Sequence, residues 1–417
     1  MTAAARAVPD KVVIVGASVA GVAVARALRA EGYDREIVLL GAEADWPYDK
    51  PPLSKEVLCG ESDKVRTSLL TRDEARELAI DVHLGLAAEE LDIAEREVVL
   101  ADGERFGYGA CVIATGATPR PSPWPLRLGV HELRTVRDSL AIRERFLAGG
   151  PVAVVGGGFI GSEVASSART LGLAVTILDP LEAPMERLVG AAAARLFTDL
   201  AVRHGTELRL GHGVVAIEGT AGELTVRLTD GSTVEAATAV IGIGVLPNDG
   251  WLASSGLLLD NGVVCDEFCR AVGAEDVFAA GDVARWHHLE QAAPERVEHW
   301  TNAVDQAGFV AHNIAHPDDQ RPYAPIPYVW TDQYGWKFQI VGHPESVSCH
   351  EVVGDLTVER PRAALVYADA GGRLVGALTV NWPRALADLR RGIADGVNAE
   401  GAARALAERA TAGPVKT

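Results

Sequence analysis

The strongest constraint on the fold is an internal repeat. Residues 11–40, "KVVIVGASVAGVAVARALRAEGYDREIVLL", align with residues 151–180, "PVAVVGGGFIGSEVASSARTLGLAVTILDP". Gly16 pairs with Gly156, Gly21 with Gly161 and Gly32 with Gly172. Each copy reads as a β-branched strand, a glycine turn, an Ala-rich helix ending at Gly, and a second apolar strand. That is one βαβ unit, and two copies predict two parallel-sheet domains. A chain of 417 residues has room for both and for a further domain.

The second copy carries a complete phosphate-binding fingerprint, Gly156-x-Gly158-x-x-Gly161. Gly156 allows the tight turn, Gly158 lets a pyrophosphate approach the backbone, and Gly161 lets helix and strand pack closely. The helix start then offers N–H groups and partial positive charge to phosphate. Asp179 ends the next strand, 18 residues past Gly161, where a carboxylate would accept hydrogen bonds from an adenosine ribose. Pro180, Leu181 and Glu182 follow. No arginine is placed for a 2′-phosphate and Glu182 would repel one, so the expected ligand is NADH rather than NADPH.

The first copy departs twice. Ser18 replaces the middle glycine, and Gly41 takes the place of Asp179, with Glu43 the nearest acid. Serine is small and its hydroxyl can donate to a phosphate oxygen, so Ser18 is compatible with the site if φ stays negative there. Glu43 could serve a ribose if its loop turns back.

Net charge is −18, which opposes non-specific nucleic-acid binding. The start, "MTAAARAVPD", has no apolar stretch of signal-peptide length, and no later run approaches a membrane span. A cytoplasmic protein without membrane or nucleic-acid partners is expected. The five cysteines (Cys59, Cys111, Cys265, Cys269, Cys349) form no C-x-x-C pair, so neither a disulfide framework nor a zinc ribbon is supported. His312 and His316 lie one helical turn apart, with no third ligand evident in the sequence, so exposed helix histidines rather than a metal pair are expected.

Further along, "CVIATGATPRP" (111–121) is an apolar strand entering the Thr115–Gly116 turn, and "VFAAGDVARW" (277–286) is a strand ending at Gly281–Asp282. With the two glycine motifs, these segments resemble the FAD- and NAD(P)H-dependent reductases with two dinucleotide-binding domains. More narrowly, "YDKPPLSKEVL" (48–58), "EHWTNAVDQA" (298–307) and "PYVWTDQYGWKFQIVG" (327–342) resemble the ferredoxin reductases that serve bacterial cytochromes P450 and Rieske-type oxygenases. The resemblance runs in order over nearly the whole chain.

It implies an α/β fold with two Rossmann-like domains, for FAD and NADH, and a C-terminal α+β domain. The FAD domain would be discontinuous, at about 1–115 and 248–325, with the NADH domain at about 116–247 and the last domain at 326–417. Pro-rich "TPRPSPWP" (118–125) and "GVLPNDG" (244–250) are the expected crossings. In the last domain, 363–380 reads as a hairpin with a Gly-Gly turn, followed by one final helix, "PRALADLRRGIADG".

The resemblance also implies roles for single residues. Gly16, Ser18, Gly21, Glu43, Thr115 and Gly116 would belong to the FAD site. Asp282, with Gly281 before it, would hydrogen-bond the FAD ribitol, near a helix expected to begin after Gly281. Arg134 would reach the AMP portion, where a cation beside phosphates makes electrostatic sense. Lys55 would sit by the flavin N5 edge, approached by the stiff Pro51–Pro52 pair. Trp300 would line the pyrimidine edge of the isoalloxazine, Trp330 would lie near the flavin, and Glu163 would lie near the nicotinamide.

Residues 41–55 contain no cysteine, whereas disulfide reductases and peroxidases of the class keep a redox thiol beside the flavin. Cys59 lies beyond Lys55 and reads as structural. Without a thiol relay, electrons must leave by the flavin edge, which favours an external one-electron carrier: a [2Fe–2S] ferredoxin, met by a monomer or weak homodimer. A rubredoxin reductase, a flavin-only NADH oxidase and a non-enzymatic signalling flavoprotein are the alternatives. Because small ferredoxins are acidic like this chain, a local basic patch is needed, with Arg390, Arg391, Lys337 and Arg285 as candidates.

Overall fold

The computed structural model describes residues 7–61, 67–183, 185–289 and 291–411; residues 1–6, part of the start read above for a leader, lie outside them. The chain divides into two compact units. One is built from the described residues within Met1–Lys50, Lys64–Thr118 and Val245–Pro325. The other is built from those within Pro51–Asp63, Pro119–Gly244 and Ile326–Thr417.

The first unit is organised by a five-stranded sheet, in the order Val277–Ala279, Ala110–Ile113, Lys11–Val15, Glu36–Gly41, Ile80–Leu84. Every neighbouring pair is parallel. Its central strands are buried on both faces, which is why they read as unbroken apolar runs rather than alternating ones. The helix Val19–Ala30 packs against helix Trp300–Ala315. The unit also holds two small sheets, one antiparallel, Ala88–Asp92, Glu97–Leu100 and Arg105–Gly107, and one mixed, Val263–Cys265, Ala284–His288 and Ala293–Glu295.

The second unit repeats the arrangement. Its parallel sheet runs Glu207–Leu210, Val175–Asp179, Val152–Val155, Thr238–Ile241, Val130–Glu132. The repeat holds at atomic detail: the Gly16 N–H donates to Leu40 O and the Gly156 N–H to Leu178 O, both at 2.8 Å. Gly41 and Asp179 are therefore equivalent in space, the first copy carrying two more residues than the second between Gly32 and its strand end.

The same unit contains a five-stranded antiparallel sheet ordered Tyr328–Gln333, Trp336–Gly342, Leu374–Val380, Arg362–Ala368, Cys349–Asp355. The expected hairpin is present, with Gly372 at φ +78° in its turn. Two helices follow it, Pro383–Ala394 and Ala399–Thr411, where one was expected. The second is rich in alanine, arginine and glutamate and shows little apolar stripe in sequence, yet it buries Ala399, Ala403 and Leu406. Among the described residues, no helix is long and apolar enough to cross a membrane.

Two glycines show why the turn sequence is so restricted. Gly16 sits at φ +121°, and a Cβ there would lie 2.1 Å from Ala114 O. A Cβ on Gly21 would lie 1.9 Å from Gly16 O. Gly32, at φ +82°, has no atom close to where its Cβ would be. Gly21→Ala should therefore lower the thermal midpoint more than Gly32→Ala, by roughly 1–3 kcal/mol of forced packing against a cost near 1 kcal/mol. Parallel melting curves decide; equal shifts would show that the turn tolerates the extra atom.

Candidate functional site

The two glycine turns end in helices that begin alike. Ser18 and Gly158 are the N-caps of Val19–Ala30 and Phe159–Thr170; neither makes a side-chain capping bond, and neither helix has an acid in its first turn. Helices Glu56–Cys59, Glu186–Arg203, Trp300–Ala315 and Pro383–Ala394 also lack a side-chain cap, but none of these four follows a positive-φ glycine turn at a strand end; two other helices are capped. Thr71 with Glu74, and Thr135 with Asp138, form reciprocal capping boxes at Arg72–Glu77 and Val136–Ala148. Helix starts left without cap or acid keep their N–H donors and partial positive charge for an anion. Ser18 has φ −124°, so a serine fits the place of the fingerprint glycine without strain. A Cβ at Gly158 would face open space, so the approach to that turn is clear. Both turns thus fit a dinucleotide pyrophosphate.

In the first unit the remaining pieces gather around this turn. A Cβ on Gly281 would lie 3.0 Å from the Ala20 methyl, so the Gly281–Asp282 step lies against the start of helix Val19–Ala30. The Gly281 N–H donates to Oε1 of the buried Gln306 at 2.8 Å, and Asp282 is half-buried. No helix begins after Gly281, contrary to expectation: the chain turns and enters strand Ala284–His288. The helix start nearest in sequence is Trp300, whose Nε1–H donates to Asp49 Oδ1 at 2.7 Å. Thr115 and Gly116 are fixed by Asn248. Thr115 Oγ1 donates to Asn248 O and Asn248 Nδ2 to Thr115 O, both at 2.8 Å, and Asn248 N–H donates to Gly116 O at 2.9 Å. Asn248 lies 133 residues from Thr115, in the stretch 244–250 read above only as a domain crossing.

The Glu43 carboxylate is engaged within its own loop. Oε1 accepts from Lys50 Nζ at 2.7 Å and Oε2 from the Tyr48 hydroxyl. Gly41 has no side chain because there is no room for one: its Cβ would meet the Ala17 methyl at 2.7 Å and Leu84 Cδ2 at 2.8 Å.

In the second unit the equivalent pair is inverted. Gly157 stands where the first copy has Ala17, and the freed space admits the Asp179 carboxylate. Oδ2 of Asp179 accepts from Gly157 N–H at 2.6 Å, and Oδ1 accepts from Leu181 N–H at 2.8 Å. Only 8% of Asp179 is exposed, so its remaining lone pairs have narrow access. Glu182, exposed and close to Gly211, places a second carboxylate beyond the same strand end.

Lys55, Arg134, Glu163 and Trp330 also belong to this unit. The sequence proposed Lys55 and Glu163 for separate tasks; the fold pairs them. Lys55 Nζ lies 2.9 Å from Glu163 Oε2, with the two side chains 14% and 5% exposed. Oε2 also accepts from Ser54 Oγ, and Oε1 accepts from Thr331 Oγ1 at 2.7 Å. A carboxylate so enclosed needs these donors, since an unpaired buried charge is costly. The "PPLSK" segment is held in place by two serines: Ser139 Oγ donates to Leu53 O and Ser167 Oγ to Ser54 O, each at 2.7 Å. Trp330 precedes Thr331 in a strand, so it points to the other face; its ring lies near those of Tyr328 and, at 5.8 Å, Lys337 Nζ. Arg134 lies just before the cap of Val136–Ala148, its N–H donating to Asp138 Oδ2 at 3.1 Å.

All five cysteines are free thiols. Burial raises the pKa of each: Cys269 is pushed up to about 12, and Cys59, Cys111, Cys265 and Cys349 also rise. None is poised as a thiolate.

Comparison with known proteins agrees with this geometry. Residues 10–307 match the family described as pyridine nucleotide-disulphide oxidoreductase, and residues 328–412 match the one described as reductase C-terminal. The chain is 37% identical over 395 residues to the ferredoxin–NAD(+) reductase component of an anthranilate 1,2-dioxygenase system from Burkholderia cepacia, covering 93% of this chain and 95% of that protein. It is 33% identical over 376 residues to rhodocoxin reductase from Rhodococcus erythropolis, covering 89% and 87%. Among solved structures, the ferredoxin reductase of the CYP199A2 system from Rhodopseudomonas palustris superposes with a TM-score of 0.89 at 31% identity, over 97% of this chain and all of that one. Putidaredoxin reductase, solved in covalent complex with putidaredoxin, gives 0.87 at 30% identity, covering 94% and 95%. Two parallel dinucleotide-type sheets, two uncapped glycine turns and this whole-length similarity lead to one conclusion: the chain is a member of the pyridine nucleotide-disulphide oxidoreductase family.

Proposed function

We propose that this protein is a cytoplasmic NADH-dependent ferredoxin reductase, passing electrons from NADH through FAD, one at a time, to a [2Fe–2S] ferredoxin that feeds a cytochrome P450 or Rieske-type oxygenase. The observation that carries the reading is the similarity over both family regions to ferredoxin–NAD(+) reductase components. What FAD supplies when bound is the acceptance of a hydride and the release of its electrons singly.

The chain's own residues do the rest. The Ser18 turn receives the FAD pyrophosphate, while Gly281–Asp282, Thr115–Gly116 and Trp300 border the same ligand; Arg134 and Glu43 are assigned to its AMP end. The Gly156–Gly161 turn receives NADH, with Asp179 and Glu182 at the ribose. Two carboxylates at that strand end repel a 2′-phosphate, so NADH is preferred over NADPH. Lys55 is assigned to the flavin edge as a cation, and Glu163, whose Oε2 lies 2.9 Å from the Lys55 ammonium, is assigned to the nicotinamide. Neutral thiols leave no internal disulfide relay, which supports exit to an external carrier. The protein acts as a monomer or weak homodimer.

Of the four basic docking candidates, Arg285 is paired with Asp260, and Lys337 lies 3.5 Å from Asp332. Arg390 and Arg391 are exposed on helix Pro383–Ala394 and border a groove with Tyr328, Pro383 and Leu386. Adjacent and exposed on one helix, these two concentrate positive charge for an acidic ferredoxin.

The primary experiment is NADH-driven cytochrome c reduction with and without stoichiometric [2Fe–2S] ferredoxin. Ferredoxin should raise the rate by orders of magnitude. No stimulation alongside fast O2 consumption would make the protein an oxidase; very slow bleaching of the flavin absorbance by NADH would point to a signalling flavoprotein. Lys55→Met should retain FAD yet slow flavin reduction by about tenfold or more in stopped flow, as expected for loss of an electrostatic stabiliser. An unchanged rate would remove Lys55 from the chemistry. Arg390→Glu combined with Arg391→Glu should raise the ferredoxin KM at low ionic strength and spare flavin reduction by NADH; an unchanged KM would discard this face.

A further inference from the structure

The histidine pair expected to be exposed is not simply so. His312 is buried, with 6% of its side chain exposed, and a third group joins the pair: Glu31, 281 residues away in sequence. Glu31 Oε2 lies 3.2 Å from His312 Nδ1 and 3.0 Å from His316 Nε2. All three ligand atoms lie within 4.8 Å of one another.

The proton on His312 can be located. Its Nε2 lies 2.8 Å from the backbone carbonyl of Asp319 and 3.4 Å from the Asp319 carboxylate, both of them acceptors, so Nε2 carries the hydrogen. In the neutral ring Nδ1 then has a lone pair, aimed at a carboxylate oxygen. Two acceptors at that distance need a cation between them. A ring nitrogen donating to a backbone carbonyl while the other faces a carboxylate is the arrangement that orients metal-binding histidines.

Two further features favour a cation. Glu31 is the C-cap of helix Val19–Ala30, and His316 is the C-cap of helix Trp300–Ala315. Both helix C-termini, with their partial negative charge, converge on the three groups. Two sides of the ligand triangle, 3.0 and 3.2 Å, lie near the tetrahedral edge of about 3.3 Å for ligands about 2.0–2.1 Å from zinc, and the third, within 4.8 Å, can shorten by rotation of the partly exposed His316 side chain. Glu31 and His316 are 34% and 42% exposed, so solvent can complete the coordination.

We propose that Glu31, His312 and His316 form a binding site for one divalent zinc-type cation, which ties together the C-terminal ends of helices Val19–Ala30 and Trp300–Ala315. The nitrogen and carboxylate donors suit zinc rather than magnesium or calcium. The start of one helix carries Ser18 and the start of the other carries Trp300, so the tie steadies two helices whose opposite ends meet the proposed FAD site. The site is independent of the choice of electron acceptor.

The test uses untagged, FAD-loaded, full-length protein stripped of metal by a chelator. Zinc titration by calorimetry should give one site per chain, and Co2+ should give tetrahedral d–d absorption beyond the flavin bands. Glu31→Gln and His316→Asn should each weaken zinc binding by at least tenfold. Zinc should raise the melting temperature of the unaltered protein only. FAD content and melting in chelator serve as the check that the variants fold, and His312, being buried, is left intact. Absence of stoichiometric binding, or binding unchanged in both variants, would overturn the proposal and leave a proton as the cation between these groups.

Discussion

Two glycine turns, each opening a helix with neither a side-chain cap nor an acid in its first turn, organise the structure around them. Capping stabilises a helix by about 1 kcal/mol, and this chain does it thoroughly at Thr71 and Thr135. At Ser18 and Gly158 it forgoes that gain and keeps acids out of the first turn. Several N–H donors and a concentrated partial charge are thereby reserved for an anion. The glycines serve this arrangement. Gly16 turns the backbone at positive φ and Gly21 lets the helix pass within contact of the turn. The parallel sheet, buried on both faces, holds the turn rigid.

The two sites differ through a compensated exchange next to that turn. In the first copy Ala17 fills the space and the next strand ends at Gly41; in the second Gly157 empties it and the strand ends at Asp179. Asp179 uses the room to accept a backbone N–H and to set a carboxylate at the strand end. The first copy instead holds Glu43 within its own loop, bound by Lys50 and Tyr48. One architecture thus places different polar groups at two equivalent strand ends.

Much of this was legible in the sequence because it is encoded over short spans. The glycine spacings, the apolar strands and the hairpin at 363–380 are local patterns. What escaped depends on partners distant in the chain. Asn248 holds the Thr115–Gly116 turn from 133 residues away, and Glu31 meets His312 across 281. Ser54 and Thr331 enclose Glu163 through hydroxyl groups that carry no sequence signature. The expected helix after Gly281 failed because "GDVARW" has the strand-like alternation that places Ala284–His288 in a sheet. The last helix, Ala399–Thr411, was passed over because alanine, not leucine, supplies most of its buried face.

The proposed assignment gives the two turns separate ligands, FAD at Ser18 and NADH at Gly158. The most direct measurement is the bound-flavin content and NADH affinity of Ser18→Leu and Gly158→Leu, taken side by side. Ser18→Leu should lose FAD while still binding NADH by calorimetry, and Gly158→Leu should keep its FAD and lose NADH. Loss of FAD from Gly158→Leu with retention in Ser18→Leu, or retention of both ligands in both variants, would contradict the account.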